Sequence, residues 1–228
     1  MFLKDFLFPK LCLGCNALGS YICINCQQKL EFVEKDSCVY CGRNSYMGFT
    51  HPGCKKKNGI DGMISFYHYN LLMQKIIKHI KYRLATDVFK EFCQIIEPKI
   101  QKKMLFYKQL SVNGLLQPIP LYSTKQKSRG FNQALLIGKF FNTTLKIPII
   151  DYFERVKNTI PQAQLEQKKE RYKNIRGAFK KKYKTNIKDR TIIVIDDVTT
   201  SGFTIQEFAK TIKREGVDKV FIITLAKG

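Results

Sequence analysis

The chain has 228 residues, of which 44% are hydrophobic and 25% are charged, and this composition excludes wholesale disorder. Its 40 lysines and arginines against 18 acidic residues give a formal net charge of +22, which points to polyanionic partners such as nucleic acid, phosphate-bearing ligands or an anionic membrane surface. A general lysine bias of the proteome is the alternative explanation. No apolar stretch approaches the roughly 20 residues that a transmembrane helix needs, so we expect a soluble, cytoplasmic protein.

The first residues, "MFLKDFLFP" (1–9), are apolar apart from Lys4 and Asp5. They are too short to span a bilayer, and they do not have the pattern of a signal peptide. We expect this segment to pack on the module that follows it. The alternative is a peripheral contact with the inner face of the cytoplasmic membrane or with a partner protein.

Seven of the eight cysteines fall within residues 12–54, in three Cys-x2-Cys pairs and one His-x2-Cys pair. Two residues between ligands form a tight turn that directs two ligand atoms at one tetrahedral zinc ion, at about 2.3 Å for sulfur. The candidate zinc ligands are Cys12, Cys15, Cys23, Cys26, Cys38, Cys41, His51 and Cys54. We favour two closed, structural sites filled in sequence order. A cross-braced pairing and a single occupied site stay open.

A module of about fifty residues cannot bury a large core, so metal binding would supply its folding free energy. We therefore predict a zinc-binding module over residues 1–60 and a second domain over residues 61–228. The remaining cysteine, Cys93, lies on a helical apolar face and is expected to be part of the core.

Strand and helix patterns alternate through the second domain. The predicted strands cover 62–70, as a strand or a hairpin, 114–121, 147–156, 191–197 and 219–226. Helices are predicted over 71–100, as one helix or two, over 129–145 after an initial glycine turn, and over 204–216, and residues 157–190 are polar and basic. Alternating strands and helices with short connections predict an α/β fold with a parallel sheet flanked by helices.

The segment "VIDDVTTSGFT" (194–204) places two adjacent carboxylates, Asp196 and Asp197, at the end of an apolar strand and a hydroxyl-rich loop before a helix. Ligands of such sheets bind beyond the carboxyl ends of the strands. The hydroxyls, the amides around Gly202 and the helix N-terminus suit an anion, and no G-x-x-x-x-G-K is present to suggest a nucleoside-triphosphate loop. Helix capping by the two acids is the alternative.

Two carboxylates would repel a phosphate in contact with them, so they must face hydrogen-bond donors on the same ligand, or a metal ion. A ribose 5-phosphate satisfies this requirement. Its 2′- and 3′-hydroxyls would donate to the acids, and its phosphate would lie in the loop.

The same segment resembles the phosphoribosyl-diphosphate (PRPP) motif of type I phosphoribosyltransferases. Nearly the whole chain is similar to the ComF family of competence-associated proteins, which join an N-terminal double zinc module to a phosphoribosyltransferase-like domain. The likeness also rests on the cysteine pairs and on three further stretches. These are "IKYR" (80–83), "PIPLYSTKQKSRGFNQ" (118–133) and "TIPQAQLEQKKERYKNIRGAF" (159–179).

The resemblance implies a role for each matching residue. Asp196 and Asp197, the candidate catalytic residues, would hold the ribose hydroxyls of PRPP, which binds with Mg²⁺. The 5-phosphate would be held by Thr199, Thr200, Ser201, Gly202, Phe203 and Thr204, and Val198 would also belong to the PRPP-binding residues. The turn over 120–127 would occupy the diphosphate-loop position, and Lys81, Arg129 and Arg171 would donate to diphosphate oxygens. His51 departs from the family, which usually has a fourth Cys-x2-Cys pair there.

Residues 155–190 contain 13 lysines and arginines against 3 acids, with Tyr172, Phe179 and Tyr183 interleaved. Cations that follow a phosphate backbone and rings that stack on bases are typical of single-stranded DNA binding. Further basic patches occur at 54–59 and 99–108. A solvated basic loop is the alternative, and Arg171 with Asn174 could instead form a hood over PRPP.

The sequence is consistent with three functions. The first, implied by the ComF resemblance and the charge, is handling of incoming single-stranded DNA in natural transformation, with PRPP as ligand or regulator. The second is an active phosphoribosyltransferase with an unknown acceptor. The third is an adaptor whose zinc module docks a competence helicase or translocase.

Overall fold

The computed structural model describes residues 9–82, 85–110, 113–160 and 167–228. Its strands are β1 (Gly62–His68), β2 (Gly114–Pro118), β3 (Phe153–Arg155), β4 (Phe179–Lys181), β5 (Thr191–Thr199) and β6 (Lys219–Lys227). Its helices are α1 (Ile24–Gln27), α2 (Leu71–Lys81), α3 (Ala85–Leu110), α4 (Ser123–Arg129), α5 (Gln133–Leu145), α6 (Lys168–Ile175) and α7 (Phe203–Lys213). No helix within these ranges is both long enough and apolar enough to cross a membrane.

The centre of the fold is a parallel sheet with the strand order β1-β6-β5-β2. The two central strands, β5 and β6, are apolar runs rich in β-branched residues and are buried along most of their length. Such runs suit a sheet that is covered on both faces. The prediction of an α/β fold with a parallel sheet is confirmed.

Both faces of the sheet are covered. Helices α2, α3 and α5 contribute to one hydrophobic cluster, in which α2 buries Leu72, Met73, Ile76, Ile77 and Ile80 at helical spacing. Helix α7 and the antiparallel pair β3–β4 contribute to the second cluster, on the other side of β5 and β6. This two-sided cover leaves the carboxyl ends of the strands as the open edge of the domain.

The N-terminal module packs along β1, the edge strand of the sheet. The backbone N–H of Val33 donates to the carbonyl of Phe66 over 2.7 Å, and Lys103 of α3 forms a buried ion pair with Asp36 at 2.8 Å. Cys12 and Cys26 belong to the same hydrophobic cluster as α2 and α3. The module therefore covers an edge that would otherwise be free to pair with another strand. The domain boundary at residue 60 stays a prediction.

Three predicted elements differ from the structure. The helical pattern over 71–100 forms two helices, and the second continues to Leu110. The segment predicted as a turn over 120–127 contains most of α4, which Gly130 ends in a left-handed conformation (φ 78°). This is the predicted glycine turn, and α5 follows it from Gln133, where the Asn132 side chain accepts from the N–H of Ala134.

The strand predicted over 147–156 is divided. The N–H of Ile150 donates to the carbonyl of Leu116, but the N–H of Tyr152 donates to the Gln117 side chain, which ends the pairing with β2. Residues 153–155 then pair with β4. The basic segment 157–190 consequently contains regular structure, α6 and β4, that its composition did not indicate.

Candidate functional site

The eight candidate zinc ligands form two groups. Cys12, Cys15, Cys23 and Cys26 make the first, and Cys38, Cys41, His51 and Cys54 make the second. Within each group the ligand atoms lie within 4.8 Å of one another. The Sγ atoms of Cys15 and Cys23 are 3.6 Å apart, close to the roughly 3.8 Å between two sulfurs on one tetrahedral zinc ion. The geometry fits structural zinc and the sequential pairing, not the cross-braced one.

His51 is placed as a metal ligand would be. Its Nδ1 lies 3.3 Å from the Sγ of Cys41, and its Nε2 donates to the carbonyl of Asn44 over 3.1 Å. A hydrogen bond on the distal nitrogen is the usual way in which a metal-binding imidazole is oriented. In the first group, Gly14 is needed because a Cβ there would lie 2.4 Å from the Sγ of Cys26. Cys93 lies outside both groups and packs against the core, as predicted.

The second site is a cavity of about 290 Å³ at the carboxyl end of β5, here called the strand-end cavity. Asp196 and Asp197 lie on one side of it. Asp197 is 96% buried; its Oδ1 accepts from the N–H of Val198 over 2.8 Å, and its Oδ2 lies 2.7 Å from the Nζ of Lys81. Asp196 accepts from the N–H of Asp197 over 2.9 Å. Backbone hydrogen bonds thus fix both carboxylates.

The loop after β5 contributes hydroxyl groups to the same cavity, from Thr199, Thr200, Ser201 and Thr204. The loop turns at Gly202, whose φ of 72° favours glycine, and α7 begins at the next residue. Because its N-cap is a glycine, this helix has no side-chain cap on its first N–H groups. Free N–H groups and a positive helix end favour an anion at this position.

Besides Lys81, three cations line the cavity: Lys125, Arg129 and Arg155. Lys125 Nζ donates to the carbonyl of Thr159 over 2.7 Å, and burial followed by the charge of Arg155 lowers its pKa. Burial also lowers the pKa of Arg155. Among the described residues, none of the three forms an ion pair with an acid. Such a cluster of mutually repelling cations is suited to an anionic ligand.

Most of the predicted ligand-binding residues meet in this cavity. Those lining it are Lys81, Arg129, Asp196, Asp197, Val198, Thr199, Thr200, Ser201, Gly202 and Thr204. Two do not line it: Arg171 lies on α6, and Phe203 lines a different cavity. Lys81 is paired with Asp197 and not presented as a free donor. Arg83 and residues 161–166 of the resembling stretches, and residues 1–8, lie outside the described ranges.

Two contributors were not singled out from the sequence. Lys125 was covered only as part of the 120–127 turn, and Arg155 only as the start of a basic segment. The signal for Arg155 was its position near the end of the strand predicted over 147–156. In the structure Arg155 pairs with Phe179 in the β3–β4 pair and lines the same cavity as Asp196.

Asp196 makes the stability of the unliganded protein depend on pH. Burial, followed by the negative charge of Asp197, raises its pKa to about 8. Because the pKa is raised in the folded state, this carboxyl favours folding when protonated, and the contribution is lost as the pH rises through about 8. We expect Asp196→Asn to melt a few degrees above the parent at about pH 8, with a difference that shrinks towards about pH 4. Melting curves over a pH series test this, and an equal difference at every pH would contradict it.

Comparison with known proteins identifies both parts of the chain. The Double zinc ribbon domain family matches residues 3–56, and the Phosphoribosyl transferase domain family matches residues 149–228. Competence protein F of Haemophilus influenzae is 27% identical over 90% of this chain and 90% of its own. Competence protein ComFC of Bacillus subtilis is 25% identical over 86% of this chain and 79% of its own.

A third relative, DNA utilization protein YhgH of Escherichia coli O157:H7, is 23% identical over 96% of this chain and 97% of its own. The resemblance to the ComF family is thereby confirmed. This chain joins a double zinc ribbon domain to a phosphoribosyl transferase domain and is, over most of its length, a homologue of the competence proteins F and ComFC.

Proposed function

We propose that this protein handles incoming single-stranded DNA during natural transformation and that its strand-end cavity binds PRPP with Mg²⁺. The first part is supported by the names of its relatives, which are competence and DNA utilization proteins, and by the net charge of +22. The second part is supported by the phosphoribosyl transferase domain and by the residues of the cavity.

One observation carries the ligand assignment: two carboxylates, a hydroxyl-rich loop and three cations that form no ion pair among the described residues line one cavity. PRPP has groups that match each of these. Its ribose hydroxyls would donate to Asp196 and Asp197, and its 5-phosphate would accept from the loop over 199–204. Its diphosphate would lie against Lys125, Arg129 and Arg155.

Mg²⁺ dehydrates reluctantly and is usually held by substrate phosphates and water with few protein ligands. We propose that it enters as the complex with PRPP, bound largely by the diphosphate oxygens. When bound, it would neutralise part of the charge on a departing diphosphate. The side chains of Lys125, Arg129 and Arg155 would orient the same group.

An active phosphoribosyltransferase is the second candidate. It is favoured by a neighbouring cavity of about 220 Å³, which shares Leu121 and Arg155 with the strand-end cavity. An acceptor there would reach the ribose from the side of the diphosphate-loop segment. Release of diphosphate from PRPP on addition of an acceptor would support this function. Absence of diphosphate release with a broad set of nucleophiles would count against it.

The proposal is tested by calorimetry with PRPP and Mg²⁺ and by gel shifts with a single-stranded oligonucleotide. We expect the double variant Asp196→Asn, Asp197→Asn to lose at least about 100-fold in PRPP affinity, because two charge-assisted hydrogen bonds become weaker. DNA affinity should be unchanged. A variant that keeps its PRPP affinity but loses DNA binding would overturn the site assignment.

DNA binding itself has a separate test. A contact dominated by phosphates releases counterions, so the affinity should fall steeply as salt rises. Flat salt dependence would contradict it. We also propose that the zinc module docks a helicase or translocase, which co-purification would test. A location at the inner face of the cytoplasmic membrane is a further proposal, which cell fractionation would test.

A further inference from the structure

A cavity of about 360 Å³ lies where the zinc module meets α6 and α7, and we refer to it as the junction cavity. Its aromatic side chains are Tyr40 from the module, Tyr172 from α6 and Phe203 from α7. Its cations are Lys56 and Lys210. Residues 40–59, 172 and 203–210 are far apart in the chain, so the cavity exists only in the folded protein.

In the junction cavity the ring of Tyr172 is accessible, and contacts hold the rings in place. Tyr172 is 41% exposed, and its ring lies 6.3 Å from that of Phe203 at 66°. The hydroxyl of Tyr40 accepts from the N–H of Ile60 over 2.8 Å, which fixes that ring. The Nζ of Lys56 lies 4.4 Å from the centre of the Tyr40 ring. An aromatic ligand could therefore reach the ring of Tyr172, in a cavity where a cation lies over the ring of Tyr40.

The charge around the cavity favours an anion attached to that aromatic group. Among the described residues, neither Lys56 nor Lys210 forms an ion pair. Glu207 is the acid of the cavity, but it is buried and accepts from the backbone N–H of Gly177 over 2.8 Å. The exposed Lys55 and Lys57 flank Lys56. Two basic segments that are separate in the sequence, 54–59 and 155–190, thus meet at one cavity.

Burial decides which aromatic residues of the basic segment can stack on a base. Phe179 cannot, because it is 5% exposed and packs on Phe208 with ring centres 4.7 Å apart. Tyr183 is 59% exposed but lines none of the cavities described above. Tyr172 alone of the three combines exposure with a place in a cavity that contains other rings and cations.

We propose that the junction cavity binds a base of single-stranded DNA, which stacks on Tyr172 while Lys56 and Lys210 contact the neighbouring phosphates. The inference rests on the proposed DNA-handling function and gives it a location. The base must be unpaired to reach the rings, because the bases of a duplex are stacked on one another. Stacking on an aromatic face is tolerant of sequence, as expected for a protein that receives DNA of any sequence.

The chain contains no tryptophan, which permits a direct test at the proposed site. The variant Tyr172→Trp is titrated with oligodeoxythymidine, with Tyr183→Trp as the matched control. We expect Tyr172→Trp to bind within about twofold of the parent and its fluorescence to be quenched as the oligonucleotide binds. Tyr183→Trp should bind equally well with little change in its fluorescence.

Affinity provides the second readout. We expect Tyr172→Leu to weaken oligonucleotide binding at least about fivefold, while Tyr172→Phe and Tyr183→Leu stay close to the parent. Because the ring makes no ionic contact, Tyr172→Leu should leave the dependence on salt unchanged. The variant Lys56→Gln, Lys210→Gln should instead reduce that dependence.

The outcomes separate this inference from the proposed function. If the parent protein does not bind the oligonucleotide, both fail. If it binds, but Tyr172→Trp is not quenched and Tyr172→Leu keeps full affinity, the junction cavity is not the site and the DNA-handling function stands. If a duplex of the same length binds as tightly and quenches Tyr172→Trp equally, the claim of an unpaired base is wrong.

Discussion

Replacing Cys26 with serine is expected to lower the melting temperature by at least about 10 °C and to reduce the bound zinc from two ions per chain to one. Cys26 is 1% exposed and belongs to the cluster in which α2 and α3 pack. Structural zinc contributes about 10–16 kcal/mol of apparent binding free energy in zinc-finger peptides. Loss of the first site would therefore remove a large part of the stability of the module.

Unfolding of the module would affect the sheet as well. The hydrogen bond from Val33 to Phe66 and the ion pair of Lys103 with Asp36 join the module to β1 and α3. Without them β1 becomes a free edge, so we also expect aggregation of the variant on heating. Scanning calorimetry and elemental analysis for zinc measure the two effects.

Cys93→Ser is the matched control, because Cys93 belongs to neither zinc group. It should keep two zinc ions and melt close to the parent temperature. A chelator added to the parent protein can remove both zinc ions, so it should lower the melting temperature at least as much as Cys26→Ser does. If Cys26→Ser retains two zinc ions, the assignment of the first group is wrong.

Replacing Lys81 with methionine is expected to destabilise the fold by about 3 kcal/mol near pH 8. The Nζ of Lys81 lies 2.7 Å from Asp197, whose side chain is only 5% exposed. Without the lysine, Asp197 would form no ion pair with any residue that the structure describes. Removing one partner of a buried ion pair costs more than removing both, because a buried charge is left uncompensated.

The destabilisation by Lys81→Met should decrease as the pH falls. Burial and then the charge of Asp197 already raise the pKa of Asp196 to about 8, and the charge of Lys81 opposes that shift, so loss of Lys81 would raise the cost of ionising Asp196. Protonation relieves that cost, so the destabilisation by Lys81→Met should shrink as the pH falls towards about 5. Urea unfolding at the two pH values measures it.

A double-mutant cycle supplies the control. Asp197→Asn keeps an oxygen that can accept from the N–H of Val198, and combined with Lys81→Met it leaves no unpaired charge at residue 197. The double variant should recover most of the stability lost in Lys81→Met. Equal stability of Lys81→Met and the parent at both pH values would show that the ion pair does not contribute to the stability of the fold.

Short-range patterns in the sequence predicted the zinc ligands, part of the strand-end cavity and the main helices and strands. The cysteine and histidine spacings identified all eight members of the two zinc groups, because ligands two residues apart meet within one turn. The segment 194–204 identified Asp196 and the loop before α7, because a strand followed directly by a helix fixes where its polar residues lie. The helical and strand periodicities identified the main elements, though not each boundary.

Only the tertiary structure decided which distant residues meet. It brought Arg155 and Lys125 to the cavity that contains Asp196, and it buried Phe179 while leaving Tyr172 exposed beside Tyr40 of the zinc module. It also placed Phe203 outside the strand-end cavity. Residues separated by tens or hundreds of positions come together through the packing of whole helices and strands. Local periodicity does not predict that packing, because it reflects only residues that are close in the sequence.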